Sequence, residues 1–200
     1  MMKFFGKRPD SKILADELVY RKGNASNNSK IKEILIEEQF NFCAYTEKYF
    51  DNLDSIDVEH FNSNIKGSDD YYNYYAVLHK PNLIFKQDEK YRYSKFFETR
   101  FYQDQHQLNK RITYIKNEYI FEETDEKDQE VVDFIAFLGL NNHDLVTIRR
   151  NHCNRLKETF RLADYTTDEI LKYFEHHKSE LNFVTVLENE LGIDLTNIYS

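Results

Sequence analysis

Residues 55–82 constrain this chain more than any other stretch. From Ser55 to Phe61, Ile56 and Val58 alternate with polar residues, the period of a strand with one buried face. Residues 62–72 are polar and contain Gly67, so they read as a loop. The run from Tyr74 to Leu78 is aromatic and β-branched, which predicts a second strand. Pro81 suits the first residue of a following helix, with Asn82 just inside it. Strand, loop, strand and helix in so short a span predict a hairpin with one helix against it.

The rest of the chain reads as mostly helical. Five glycines and two prolines in 200 residues disfavour a turn-rich β-sandwich. Residues 1–28 read as an extended basic arm, with a loop over residues 22–28. A helix is expected to start near Ser29, with Ile31, Ile34, Leu35 and Phe42 on one face. Residues 43–46 end that helix or open a short strand, and residues 51–54 form a turn. A linker is expected within residues 100–110. Beyond it, Val131, Val132, Ile135, Phe137 and Leu138 run up to a helix stop at Gly139. Asn142 can cap a helix carrying Leu145, Ile148, Cys153, Leu156 and Phe160. Thr166 and Glu169 form a capping box for a helix through His177. Phe183, Val186, Leu187 and Leu191 close the chain at helical spacing. The expected class is α+β, predominantly helical.

Charge and cysteine usage narrow the function classes. No apolar run is long enough to span a membrane, the first residues lack a signal peptide's apolar stretch, and Cys43 and Cys153 offer no disulfide framework. A cytoplasmic protein is expected. The net charge of −8 argues against a self-sufficient nucleic-acid binder. Its distribution softens that objection: residues 1–32 hold eight Lys/Arg against three acids, and residues 75–118 hold nine against five. Acid gathers in residues 122–128 and in the final 35 residues, away from the hairpin.

The hairpin carries the chemistry. Phosphodiester hydrolysis needs a base for water, shielding of charge on the phosphate, and stabilisation of the leaving oxygen. His60 can take a proton at neutral pH. Glu59 and Asn82 offer a carboxylate and an amide oxygen, the hard donors that Mg²⁺ prefers. Adjacent residues at a strand end point in opposite directions, so Glu59 can face a metal while His60 faces water. Asn73 can pin the loop behind His60, and Lys86 is a turn beyond Asn82, where it can meet phosphate. A Glu-His pair alone is common by chance. The spacing of His60, Asn73 and Asn82 around two strands and a Pro-led helix is much less so.

With these residues the chain resembles the HNH, or ββα-metal, endonuclease superfamily. It looks most like the HNH subunits paired with SMC-type (ABC-type) ATPases in Septu anti-phage systems and in some retrons. Glu38-Gln39 followed by Cys43-Ala44-Tyr45-Thr46-Glu47 is similar to that family's Glu-Gln and Cys-Ala-Tyr-Cys-Glu. Val58-Glu59-His60-Phe61 is similar to its Ile-Glu-His-Phe, and Leu138-Gly139-Leu140-Asn141 with Arg149-Arg150 to its later helical segment. The resemblance implies a ββα-metal core over residues 29–100, preceded by the basic arm of residues 1–28. Residues 101–200 would brace the core and dock a partner. It implies His60 as general base, Glu59 and Asn82 as ligands of Mg²⁺ or Mn²⁺, and Asn73 as the loop residue. Implied partners are an ATPase and, in a retron, a reverse transcriptase with its RNA-DNA. Family members hold a structural zinc with two Cys-x-x-Cys pairs. Here Thr46, Leu78 and Pro81 replace three of those cysteines, so no structural zinc is expected. The cluster of Tyr71, Tyr72, Tyr74, Tyr75 and Phe85 is the expected apolar substitute.

Other features point less sharply. Arg149 and Arg150 are candidates for nucleic-acid contact, weighed evenly against a solvated helix face. The tyrosines of residues 71–75 could stack bases, though core packing is the better reading. His176 and His177 project about 100° apart on a helix and rarely share an ion. No glycine-rich phosphate loop is present, so any ATP dependence belongs to a partner. Two rival functions stand beside a defence endonuclease: a catalytically degenerate HNH-fold interaction subunit, and an effector that cleaves RNA such as tRNA.

Overall fold

The computed structural model describes residues 2–199, leaving out the side chains of residues 81–83. A short helix α1 (Lys12–Ala15) and a longer one, α2 (Ala25–Glu38), lead into strands β1 (Ile56–His60) and β2 (Tyr74–Leu78) and helix α3 (His79–Phe85). Short helices α4 (Asp88–Tyr91), α5 (Phe96–Thr99) and α6 (Gln105–Arg111) follow. A second hairpin comes next, β3 (Ile112–Ile115) and β4 (Ile120–Glu123). The chain then runs through α7 (Gln129–Phe137), α8 (His143–Leu162), α9 (Thr167–His176), α10 (Val184–Leu191) and α11 (Thr196–Tyr199). The fold is α+β, with two separate two-stranded antiparallel sheets.

In the first hairpin His60 faces Tyr74, Glu59 faces Tyr75 and Ile56 faces Leu78. The free edge of β2 is met by Lys7 at the Tyr74 carbonyl, by Cys43 Sγ at the Leu78 N–H, by the Ala44 N–H at the Ala76 carbonyl (3.2 Å), and by the side chain of Gln39. Gln39 donates from its amide to the Ala76 carbonyl (2.8 Å) and accepts from the Ala76 N–H (2.9 Å), pairing with β2 as a strand would. Helix α3 begins at His79, so Pro81 is its third residue rather than its first. That position still lies among the N–H groups that have no helical acceptor, so the ring costs no hydrogen bond.

Several expectations need correction. Residues 1–28 are not an extended arm. Met2, Phe4, Phe5 and Ile13 are buried, and Phe5 is the centre of an aromatic cluster. Its ring lies 4.7 Å from Tyr75, 5.6 Å from Phe61 and 5.5 Å from Phe134. Burying a Phe side chain contributes about 2–3 kcal/mol, which outweighs the basic character of the surrounding residues. Lys7 lies 3.8 Å from the Tyr75 ring centroid and donates to the Tyr74 carbonyl, and burial draws its pKa down to about 7 against the opposing charges of Glu38 and Asp70. Helix α2 starts at Ala25, because the Asn24 side chain accepts from the Asn27 N–H and caps it. Residues 100–110 are no linker. Phe101, Tyr102 and Leu108 are buried there, and Asp104 caps α6.

The second half contains a hairpin that the helical pattern concealed. The strands are four residues each, and the turn between them places Asn117 and Tyr119 at φ of 68° and 65°. Asn142 and Thr166 cap α8 and α9, the latter with the full Thr166–Glu169 capping box. Gly139, at φ 60°, ends the turn after α7. A Cβ there would also lie 2.7 Å from the Phe85 carbonyl oxygen. This close approach, with the Gln87 N–H donating to the Phe137 carbonyl (2.8 Å), seats the end of α3 against α7. The hydrophobic core is continuous from Met2 to Ile198 and crosses all three regions of the sequence.

Candidate functional site

The two faces of β1 carry two different polar clusters. His60 projects to one face, where only 5% of it is exposed. Its Nδ1 meets Asp69 Oδ2 at 2.5 Å. The same oxygen accepts from Asn73 Nδ2 at 2.7 Å, and Asp69 Oδ1 accepts from the Gly67 N–H at 3.0 Å. Burial opposes ionisation of Asp69, but the hydrogen bonds from His60, Asn73 and Gly67 outweigh it and hold the carboxyl below the usual range. A carboxylate at Nδ1 requires the proton to sit on that nitrogen in neutral imidazole. The lone pair is thereby left on Nε2. Among the described residues Nε2 is buried with no hydrogen-bond partner.

Asn73 staples the loop behind His60. Its Oδ1 accepts from the Asn62 N–H (2.8 Å), its Nδ2 also reaches the Asn62 carbonyl (3.2 Å), and its own carbonyl accepts from the Phe61 N–H (2.9 Å). Two rings cover the imidazole. Tyr20, from the segment between α1 and α2, stands edge-on at 4.9 Å, and Tyr74 at 5.3 Å. Tyr74 Oη ties them together, accepting from the Tyr20 N–H (3.3 Å) and donating to the Asp69 carbonyl (2.9 Å). Exposed Arg100 shares a recess of about 90 Å³ with Asn62, Asp69 and Asn73, so a cation borders this network.

Glu59 projects to the other face and pairs with Lys86. Lys86 is not the phosphate contact expected of it. Its side chain is 2% exposed, and its ammonium also lies 3.0 Å from Asp88 Oδ1, 3.4 Å from the His60 carbonyl and 5.4 Å from the Phe137 ring centroid. The ammonium is buried by the approach of α3 to α7, which turns it inward to neutralise Glu59 and Asp88. The Asn82 side chain lies outside the described residues, although its backbone belongs to α3. The structure therefore joins His60 to Asn73 through Asp69, and Glu59 to Lys86.

Arg149 is likewise corrected. It is 2% exposed and donates to the Leu140 carbonyl (2.5 Å), with its guanidinium 4.9 Å from the Phe121 ring. Burial draws its pKa down to about 10, opposed by the charge of Glu47, so it stays charged in the core at neutral pH. Arg150 is exposed and packs on Tyr119 (5.4 Å). The buried stripe of α8 is Leu145, Arg149, Cys153, Leu156 and Phe160, while Ile148 is 52% exposed. The spacing of four, four, three and four was in the sequence, and it places an arginine where an apolar residue was assumed.

The region where the resembling family has its zinc cysteines is packed shut. Cys43 is buried, and its Sγ accepts from the Leu78 N–H at 3.4 Å. Burial pushes this thiol's pKa up, against the thiolate that zinc requires. Glu47 closes the same segment by accepting from the Lys3 N–H (2.7 Å) and the Thr185 N–H (2.9 Å). Among the described residues no three His, Cys, Asp or Glu side chains converge to hold a metal. Magnesium needs fewer, since one or two carboxylates and water suffice. Glu59 is a donor of the right kind, provided that Lys86 gives it up.

Asp69 and Tyr20 are the site residues that sequence reasoning missed. Asp69 sits in a polar loop, and Tyr20 is far from the hairpin in the chain, so neither carries a spacing signal. Comparison with family models, with curated proteins and with solved structures finds no match to this chain.

Proposed function

We propose that this chain is a metal-dependent HNH-type endonuclease that hydrolyses phosphodiester bonds, and that its hairpin and α3 form a ββα-metal core. It would act in the cytoplasm as the effector of an anti-phage complex with an ATPase partner, which in a retron setting would include a reverse transcriptase and its RNA-DNA. The single observation that carries the reading is His60 itself: a histidine at a strand end, clamped at Nδ1 by Asp69, with its other nitrogen bare among the described residues. That is the protonation pattern of a general base ready to accept from water. Glu59 and Asn82 would hold Mg²⁺ or Mn²⁺, which supplies Lewis-acid shielding of the phosphate charge. Asn73 holds the loop that aims His60, and Arg100 borders it on the solvent side.

The test is to incubate the chain, alone and with an ATPase encoded beside it, with DNA and with RNA in the presence and absence of Mg²⁺. Cleavage that needs Mg²⁺ and falls at least about 10³-fold in His60→Ala is expected. Undiminished cutting by that variant would remove His60 from the mechanism.

A second reading has its own support. Tyr20 covers His60, and Lys86 neutralises Glu59, as expected of an HNH fold kept for interaction alone. An intact complex that cuts neither DNA nor RNA under any metal condition would favour it.

A further inference from the structure

We infer that Asp69 is a positioning residue which fixes the tautomer and orientation of His60, so that proton transfer runs through Nε2. This deepens the proposed hydrolytic reading and rests on it for the catalytic consequence, though not for the geometry.

The carboxylate is held more firmly than an incidental partner would be. Its side chain is 1% exposed, and three donors from three different residues converge on its two oxygens: His60 Nδ1, Asn73 Nδ2 and the Gly67 N–H. The backbone on either side is fixed as well. The Asp69 carbonyl accepts from Tyr74 Oη, and the neighbouring Asp70 caps the turn at residues 71–73. An anion fixed in this way accepts a proton-bearing Nδ1 and rejects the alternative tautomer, which would set two lone pairs against each other. The imidazole is left one rotational position and one bare nitrogen. Hydrolysis then moves one proton from the attacking water to Nε2 as the water oxygen bonds to phosphorus; the leaving oxygen departs with the P–O electron pair and takes a proton from solvent, and His60 later releases its own to solvent.

Asn73 gains a second function by the same geometry. Its amide spans the Asn62 backbone and Asp69 Oδ2, so the loop staple and the base-orienting carboxylate form one rigid unit. Loosening Asn73 should misplace Asp69 before it misplaces His60.

The experiment reads the ring nitrogens directly. Long-range ¹H–¹⁵N spectra of the wild-type chain in its neutral-imidazole form should show His60 protonated on Nδ1 and bare on Nε2. In Asp69→Asn the tautomers should mix or invert, because the amide can present an N–H to Nδ1. A wild-type spectrum with the proton on Nε2, or an unchanged tautomer in Asp69→Asn, would overturn the inference whatever the chain cleaves. Where the wild-type complex cleaves nucleic acid, Asp69→Asn should lower kcat by about 10²–10⁴-fold with KM nearly unchanged. An unchanged kcat would also overturn it. A tautomer that responds as expected in a complex with no cleavage keeps the positioning role and removes the nuclease reading instead. Should Asp69→Asn not fold, the wild-type spectrum alone still decides the tautomer.

Discussion

The two hairpins of this protein are built alike and finished differently. Each has an edge strand on which one carboxamide meets both backbone groups of a single residue. Gln39 pairs with Ala76 in the first hairpin. In the second, Asn141 accepts from the Phe121 N–H (2.8 Å) and donates to its carbonyl (2.7 Å). Each also leans on a buried carboxylate. Glu190, beside the second hairpin, is matched on every side by Tyr114 Oη (2.9 Å), the Asn117 N–H (2.6 Å) and Lys157. Asp69, beside the first, is matched too, but among the described residues the histidine it holds keeps one nitrogen without a partner. Buried polar atoms are nearly always hydrogen-bonded, and His60 Nε2 joins the Tyr45 and Tyr75 hydroxyls and Asp88 Oδ1 among the few in the described residues that are not. The second hairpin braces the fold; the first has a reactive atom to spare.

Four tests, with five variants between them, would break or sharpen that contrast. The largest effect belongs to Glu190→Ala, which strands the Tyr114 hydroxyl, the Asn117 N–H and the Lys157 ammonium. A loss of about 3 kcal/mol in chemical denaturation is expected, with the His60 ring signals unmoved. Gln39→Ala and Asn141→Ala come next, the first stranding the Ala76 N–H, whose carbonyl keeps the Ala44 N–H (3.2 Å), and the second both backbone groups of Phe121, at a cost of about 1–3 kcal/mol each. Denaturation midpoints check them, and only Gln39→Ala should disturb His60. A third test uses acid. Burial pushes the Glu190 carboxyl upward, but the hydrogen bonds from Lys157, Asn117 and Tyr114 prevail and hold it below the ordinary range. A depressed carboxyl contributes stability above its unfolded pKa of about 4.3, and loses it as pH falls through the lower folded value. Glu190→Gln should therefore flatten the acid limb of the stability curve, measured by thermal melts from neutral pH downward. The smallest effect is expected from Tyr20→Ala, which uncovers Nε2. His60 should react several-fold faster with diethylpyrocarbonate, with less than about 1 kcal/mol lost, since Tyr20 is only half-buried. An unchanged reaction rate would mean that Tyr20 is not what shields the nitrogen.

Much of the first hairpin was legible in the sequence because alternation, a polar loop and a proline each carry a local signal. The caps at Asn142 and Thr166 were legible for the same reason, since capping is chemistry within four residues. What escaped was long-range. Gln39 binds a backbone 37 residues away and Phe5 packs on Phe134, and neither is visible in a window of sequence. Charge misled in a consistent direction. Lys7 fell within the expected basic arm, Lys86 was read as a phosphate contact and Arg149 as either a nucleic-acid contact or a solvated helix face, but aromatic rings and carboxylates give each of them a place inside or at the edge of the core. The strands of the second hairpin, at four residues each, fell below the length at which alternation stands out from helical spacing.

Phe4 stacks on Phe42 and also touches the ring of Tyr199, while Glu47 reaches Thr185. Residue 4 must therefore wait through synthesis until residue 199 has emerged. Closure of this kind is slow, since distant segments must meet before any reward is gained. The first hairpin can pair early, yet the packing around Phe4 and Glu47 is finished only by α10 and α11.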